Sequence, residues 1–145
     1  MTVLRLPAEA GSYVLVLRLA RPRRVRLGGL GWHRLPAGWY LYVGSARGPG
    51  GLAARVGRHL RRPAAQHWHI DYLRRAAGVT AVWWRVAPDR LECAWADAIA
   101  GWPGAAPAVP GFGASDCRCL THLWRVPGPP ARPAWAAAAG TVAGG

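Results

Sequence analysis

Lysine is missing from this chain and carboxylates are rare. Its 145 residues include 19 basic side chains, every one Arg, against six Asp and Glu, for a formal net charge of +13. A composition rich in Ala, Gly, Pro, Arg and Trp, as GC-rich coding produces, accounts for Arg in place of Lys. It does not account for the shortage of acids. So basic a small chain points to a polyanionic partner, nucleic acid before an anionic membrane surface. Long apolar runs are also lacking. Residues 13–17 and 76–84 are the longest candidates, far below the roughly 18 needed to span a bilayer. Residues 1–9 contain an Arg, an early Pro and a Glu, with no apolar stretch after them, so no secretory signal is expected and the expected location is cytoplasmic.

Cysteine is scarce and odd in number: Cys93, Cys117 and Cys119 do not make a disulfide framework. Cys117, Cys119 and His122, with Cys93 or His67 as a fourth ligand, invite a zinc reading. Structural zinc usually pairs cysteines two to four residues apart, and C-x-C is shorter, so small buried thiols are expected and zinc is not. What is abundant is apolar: 52% of residues are hydrophobic and 17% charged, which excludes bulk disorder. The length suits a single domain over residues 1–126, with a Pro/Ala/Gly-rich, flexible tail over 127–145.

Residues 12–19 read as a strand, 25–27 as a short second strand and 39–44 as a strand buried on both faces or nearly so. Gly- and Pro-rich stretches at 28–31, 36–38 and 45–51 read as turns and loops. Residues 52–62 read as a helix stopped by Pro63, and 66–77 as a second helix stopped by Gly78. A strand over 79–86, a helix from Pro88 to about Ala100, a loop over 102–112 and a last strand over 122–126 follow. The elements do not alternate regularly, so the expected class is α/β (α+β): a small layered domain with a mostly antiparallel sheet flanked by helices.

Several residues stand where chemistry is done. Gly11-Ser12-Tyr13 enters the first strand, Tyr42-Val43-Gly44 ends the next confident one, a helix carries Arg55 and His59, and a later helix carries Glu92. With residues about 100° apart on a helix, Leu52, Ala53, Val56 and Leu60 form an apolar arc. Arg55, His59 and Arg62 border it, and Arg58 and Arg61 point further out. Each residue also has a bland reading. Tyr13 and Tyr42 suit cross-strand packing, Gly44 a strand end and Ser45 a local cap. Arg55 could be one solvated Arg among many. Asp89-x-x-Glu92 is close to a capping box. His69 falls in the apolar arc of its helix and His67 on the polar side. Asp116 sits in a turn as a further acid or a plain turn residue.

This order of motifs resembles the GIY-YIG nuclease family over Gly11 to about Gly101. Residues 42–46, 67–73 and 111–117 are similar to segments of a divergent branch sometimes fused to endonuclease III-type DNA glycosylases. The resemblance implies a metal-dependent endonuclease that hydrolyses phosphodiester bonds in DNA or structured nucleic acid, with DNA repair as a setting. It makes Tyr13 and Tyr42 the hydroxyls around attacking water and scissile phosphate. Arg55 becomes the phosphate contact, Glu92 the ligand of one Mg²⁺ or Mn²⁺, and His59, with His69 beside it, a catalytic candidate. Gly44, Ser45, Arg58 and Arg62 are the expected nucleic-acid contacts. Departures are Ser12 and Val43 in place of Ile and long segments over 20–36 and 47–51. The competing reading is a non-catalytic Arg-rich nucleic-acid-binding module of the same fold. A partner protein is a candidate for targeting, and DNA comes before RNA as the polymer.

Overall fold

Strand β1, Gly11–Leu19, is apolar at almost every position because it lies in the middle of the sheet with a layer on each face. It pairs antiparallel with β4, Gly38–Ala46, on one side and β5, Gly78–Val86, on the other. In this computed structural model, which describes residues 4–61, 68–114 and 117–142, the six-stranded sheet is completed by three short strands. β6 (Ala106–Pro107) and β7 (Leu123–Val126) lie beyond β4, and β8 (Ala138–Thr141) lies beyond β5; every pairing is antiparallel. Strands β2 (Arg23–Arg26) and β3 (Trp32–Leu35) form a separate hairpin. The expected α+β architecture is present: a mainly antiparallel sheet with three helices.

Strand alternation divides the core in two. Tyr13, Leu15, Leu17 and Leu19 of β1 face helix α1 (Gly51–Leu60) and helix α2 (His69–Leu73) through Leu52, Val56, Ile70 and Leu73. The hairpin's Val25 and Leu35 join this cluster. Val14 and Val16 face the other way, toward Trp95 and Ile99 of helix α3 (Glu92–Ala100) and a group of Trp rings that includes Trp83 and Trp102. The two layers meet the same end of the sheet, where β1 begins, β4 ends and the first residues of α1 and α3 lie.

The structure departs from the sequence expectations in several places, among them a two-residue strand at Ala106–Pro107 inside the expected 102–112 loop. The second helix is five residues long, because Arg74 turns back to the ends of its neighbours. Its guanidinium donates to the His59 carbonyl at 2.8 Å and the Ala77 carbonyl at 2.7 Å, which closes α1 and leads into β5. The third helix starts at Glu92, not Pro88; the preceding Leu91 N–H is held by the Ser12 hydroxyl at 3.1 Å. Residues 32–35 pair as a strand where the sequence gives no strand signal. Most of all, residues 138–141, expected in a loose tail, add a strand to β5 and so belong to the sheet. Arg62, His67 and Asp116 lie outside the described residues. Among the described residues no helix is long and apolar enough to cross a membrane.

Candidate active site

A cleft of about 280 Å³ opens where β1, β4, α1, α2 and α3 converge. Tyr13, Tyr42, Gly44, Ser45, Arg55, His59, His69 and Glu92 all line it, although they come from five elements far apart in the sequence. Arg58 does not line it. Its guanidinium makes two parallel bonds to the Asp71 carboxylate, at 2.8 and 2.9 Å. Asp71 is buried and also accepts from the Trp68 N–H at 2.8 Å, at the start of α2. Arg58 thus ties α1 to α2, with its side chain still 30% exposed.

Tyr13 and Tyr42 project from neighbouring strands on the same face, with ring centroids 6.5 Å apart. Tyr13 shares a 2.8 Å hydrogen bond with His59 Nε2, and Tyr42 meets the same imidazole edge-on at 6.2 Å. Burial raises the Tyr13 hydroxyl well above its ordinary pKa; the Tyr42 hydroxyl adds to this and the Arg55 charge opposes it. Burial likewise raises Tyr42, with Arg55 opposing. His59 moves the other way: burial pushes its imidazole down to about 3, despite a contrary pull from Asp71. The pair is therefore a neutral phenol beside a neutral imidazole. His59 Nδ1 is buried without a hydrogen-bond partner among the described residues, a state that costs about 1–3 kcal/mol.

The Arg55 guanidinium carbon lies over Trp68, 4.5 Å from the ring centroid, and the guanidinium donates to the Ser45 carbonyl at 3.2 Å. Stacking and that bond orient the guanidinium, which also interacts with the Tyr13 hydroxyl, and a guanidinium carries five donors to share with an anion. Trp68, which also carries Arg58 at 4.2 Å, is a residue that sequence reading misses; a Trp before a short helix has no signature of its own. His69 accepts a 2.9 Å bond from the Gly113 N–H at Nδ1, and burial lowers its pKa. With Nδ1 an acceptor in a neutral ring, Nε2 carries the proton and is a donor. Gly113 can deliver that bond because its φ is +67° and because a Cβ there would stand 2.9 Å from the Tyr42 ring.

Glu92 is the first residue of α3, and the helix has no side-chain cap, so the capping-box reading with Asp89 is not realised. The carboxylate is 15% exposed, with Arg90 at 3.9 Å, the outer limit of an ion pair. Ser12 and Ser45 oppose each other across the β1–β4 ladder with hydroxyls 3.3 Å apart. Through the Ser12 bond to Leu91 they fasten the start of α3 to the sheet. Ser12 in place of an apolar residue thus sets where Glu92 stands, and Ser45 sits at the cleft wall.

At the rim of the cleft the fold gathers Cys93, Cys117, Cys119 and His122, with all their ligand atoms within 4.8 Å of one another. Of the two candidate fourth ligands for this group, Cys93 is in it. Local spacing does not show this, because Cys93 arrives from α3.

No curated protein and no solved structure is significantly similar to the chain. A family model does match, over residues 12–140, a span that starts at Ser12 in β1 and runs into β8. The chain belongs to the family described as Domain of unknown function DUF123.

Proposed function

We propose that the cleft hydrolyses phosphodiester bonds in nucleic acid, DNA before RNA, with the help of one divalent cation. The observation that carries the reading is the convergence of Tyr13, Tyr42, Arg55, His59 and Glu92 on one cleft. Their order and spacing also resemble the GIY-YIG nucleases, in the branch sometimes fused to endonuclease III-type glycosylases.

The residues divide the work as follows. Arg55, already oriented by Trp68, offers its donor fork to the non-bridging oxygens of the scissile phosphate. His69 Nε2–H and the Tyr42 hydroxyl are further donors lining the same space. Tyr13, held by the hydrogen bond it shares with His59 Nε2, orients the attacking water as a neutral hydroxyl, and the proton that water loses passes to solvent. Burial opposes a phenolate, so the 2.8 Å bond to His59 serves to fix the position of the Tyr13 hydroxyl. Burial keeps His59 neutral, so it holds the hydroxyl without taking its proton.

Glu92 fits a hard cation: a single carboxylate at the lip of the cleft, with room for water to fill the remaining positions. When bound there, Mg²⁺ or Mn²⁺ supplies charge neutralisation and a more acidic water.

The β2–β3 hairpin supports a nucleic-acid partner. One of its faces carries Arg24, Arg26 and Arg34, all exposed, and Trp32, 58% exposed. Arg24 and Arg34 oppose each other directly, an arrangement that destabilises a hairpin unless an anion lies across it. Arg24 stacks on Trp32 at 4.9 Å, which presents a flat, cationic surface suited to phosphates and bases. The same hairpin favours the second reading, a binding module without catalysis.

The test is a low-salt cleavage assay on labelled single-stranded, duplex and branched DNA and on RNA, with Mg²⁺, Mn²⁺ or EDTA, and with Arg55→Ala alongside. Metal-dependent cutting that Arg55→Ala lowers by about 10²–10³, the range for removing a charge-stabilising donor, supports hydrolysis. Tight binding with no cutting on any of these substrates selects the binding module.

A further inference from the structure

We infer that Cys93, Cys117, Cys119 and His122 form a structural zinc site that joins the start of α3 to residues 117–122 ahead of β7. The site is separate from the cation at Glu92 and does not depend on the hydrolytic reading.

The four ligand atoms all lie within 4.8 Å of one another. Cys117 Sγ is 3.3 Å from His122 Nε2, and Cys93 Sγ is 3.9 Å from it. Zinc–sulfur bonds of about 2.3 Å and zinc–nitrogen bonds of about 2.0–2.1 Å give a tetrahedron with edges of roughly 3.5–3.8 Å. The observed separations lie around that edge. Packing alone is a poor account of the group, because none of the three thiols is buried; each is partly exposed. Thiols that only fill a core are among the most buried side chains. Three of them facing one imidazole near the surface is a soft donor set, which selects zinc over magnesium.

The scaffold is rigid on the imidazole side. The His122 N–H donates to the Phe112 carbonyl at 2.8 Å, and its own carbonyl accepts from the Val43 N–H at 3.0 Å. His122 is therefore clamped between the loop and β4 before any metal arrives. Cys93, in the first turn of α3, is adjacent to Glu92. Four protein ligands leave no open position, the mark of a structural site. Its consequence for the cleft, which does rest on the hydrolytic reading, is that the metal would hold the helix start carrying Glu92 against the loop that carries Gly113.

The experiment uses the full chain, expressed with zinc present and purified under reducing conditions without chelator. Elemental analysis should find about one zinc per chain, as a Cys3His set predicts, released as an organomercurial titrates the thiols. Reduced, metal-free protein should take up Co²⁺ with the visible bands of a tetrahedral thiolate site, and added Zn²⁺ should displace them. Cys119→Ser should weaken retention; because that variant could also unfold, the wild-type zinc content and cobalt spectrum decide. Protein that holds no zinc and shows no cobalt bands overturns the proposal, as does a disulfide among these cysteines in protein purified without oxidant. Zinc present with no cleavage would sink the nuclease reading alone, and cleavage without zinc would sink this one alone.

Discussion

Tyr13 faces Gly44 across the β1–β4 ladder so closely that a Cβ on Gly44 would stand 2.5 Å from both Cζ and the hydroxyl oxygen of Tyr13. The glycine of the second tripeptide motif is thus spatially bound to the tyrosine of the first. Its place at the cleft, read from sequence as a nucleic-acid contact, has this more direct reason: it makes room for the phenol that bonds His59.

Gly44→Ala should therefore displace the Tyr13 ring. We expect a destabilisation of about 1–3 kcal/mol, as for overpacking a tight core, together with loss of cleavage. Combining it with Tyr13→Ala should cost less than the sum of the two single changes, because the clash is gone. Urea unfolding of the two single variants and the double variant checks this; strict additivity would mean that the close approach is relieved elsewhere.

Arg55 and Arg58 are one helical turn apart and should fail differently. Arg58→Ala removes the bidentate charged partner of the buried Asp71 carboxylate, which keeps its bond from the Trp68 N–H; side-chain exposures are 30% and 2% for Arg58 and Asp71. Because Arg58 is partly in water, the expected destabilisation is about 2–3 kcal/mol, below the range for fully buried pairs. Arg55→Ala leaves no buried charge behind and should shift the melting temperature little while removing cleavage. Thermal melts run beside cleavage rates separate the two; the opposite pattern would overturn these assignments.

His59 gives a stability signature with a definite sign. Its folded pKa, about 3, lies below the unfolded value of about 6.5. The unfolded chain therefore binds a proton that the folded one refuses, so stability falls as pH drops from about 6.5 toward 3. His59 alone contributes a slope approaching about 1.4 kcal/mol per pH unit within that window. Denaturant titrations of wild type and His59→Gln between these pH values should show a shallower decline in the variant. Parallel curves would mean that His59 titrates normally in the fold.

The hairpin should act on affinity and not on chemistry. Replacing Arg24, Arg34 and Trp32 together by Ala removes exposed side chains and should leave the fold intact. Nucleic-acid binding should weaken, and the dependence of log K on log salt should flatten by about 0.9 for each duplex phosphate that is no longer neutralised. Cleavage at saturating substrate should persist. Fluorescence anisotropy over a salt series reads the slope, and an unchanged slope would move the binding surface elsewhere.

Local pattern in the sequence is enough to place β1, β4 and α1, and with them Tyr13, Tyr42, Arg55 and His59. Their apolar periodicity and glycine punctuation lie within single elements. Less is legible wherever a partner arrives from a distance. Asp71, 13 positions further on, engages the Arg58 guanidinium, a partner that a helical wheel drawn on α1 alone cannot show. Cys93 reaches Cys117 and Cys119 through the packing of α3, so a spacing argument on C-x-C is bound to miss it. The β8 residues, Ala-Ala-Gly-Thr, have almost no strand propensity. They pair because β5 offers an edge and because the Gly140 backbone can lie against Leu4 and Trp84.

That final strand also covers an edge of the sheet. The sheet ends in β6, two residues that include a Pro, and in β8, four residues without a bulky apolar side chain. Neither is a good template for a further strand. Without residues 127–142 the outer edge of β5 would carry unpaired backbone groups beside Val82, Trp83 and Trp84. A chain shortened at 126 would keep every residue proposed to act in the cleft, yet it would have a sticky border along which molecules join edge to edge. The last segment thus covers backbone groups that a chain shortened at 126 would leave open.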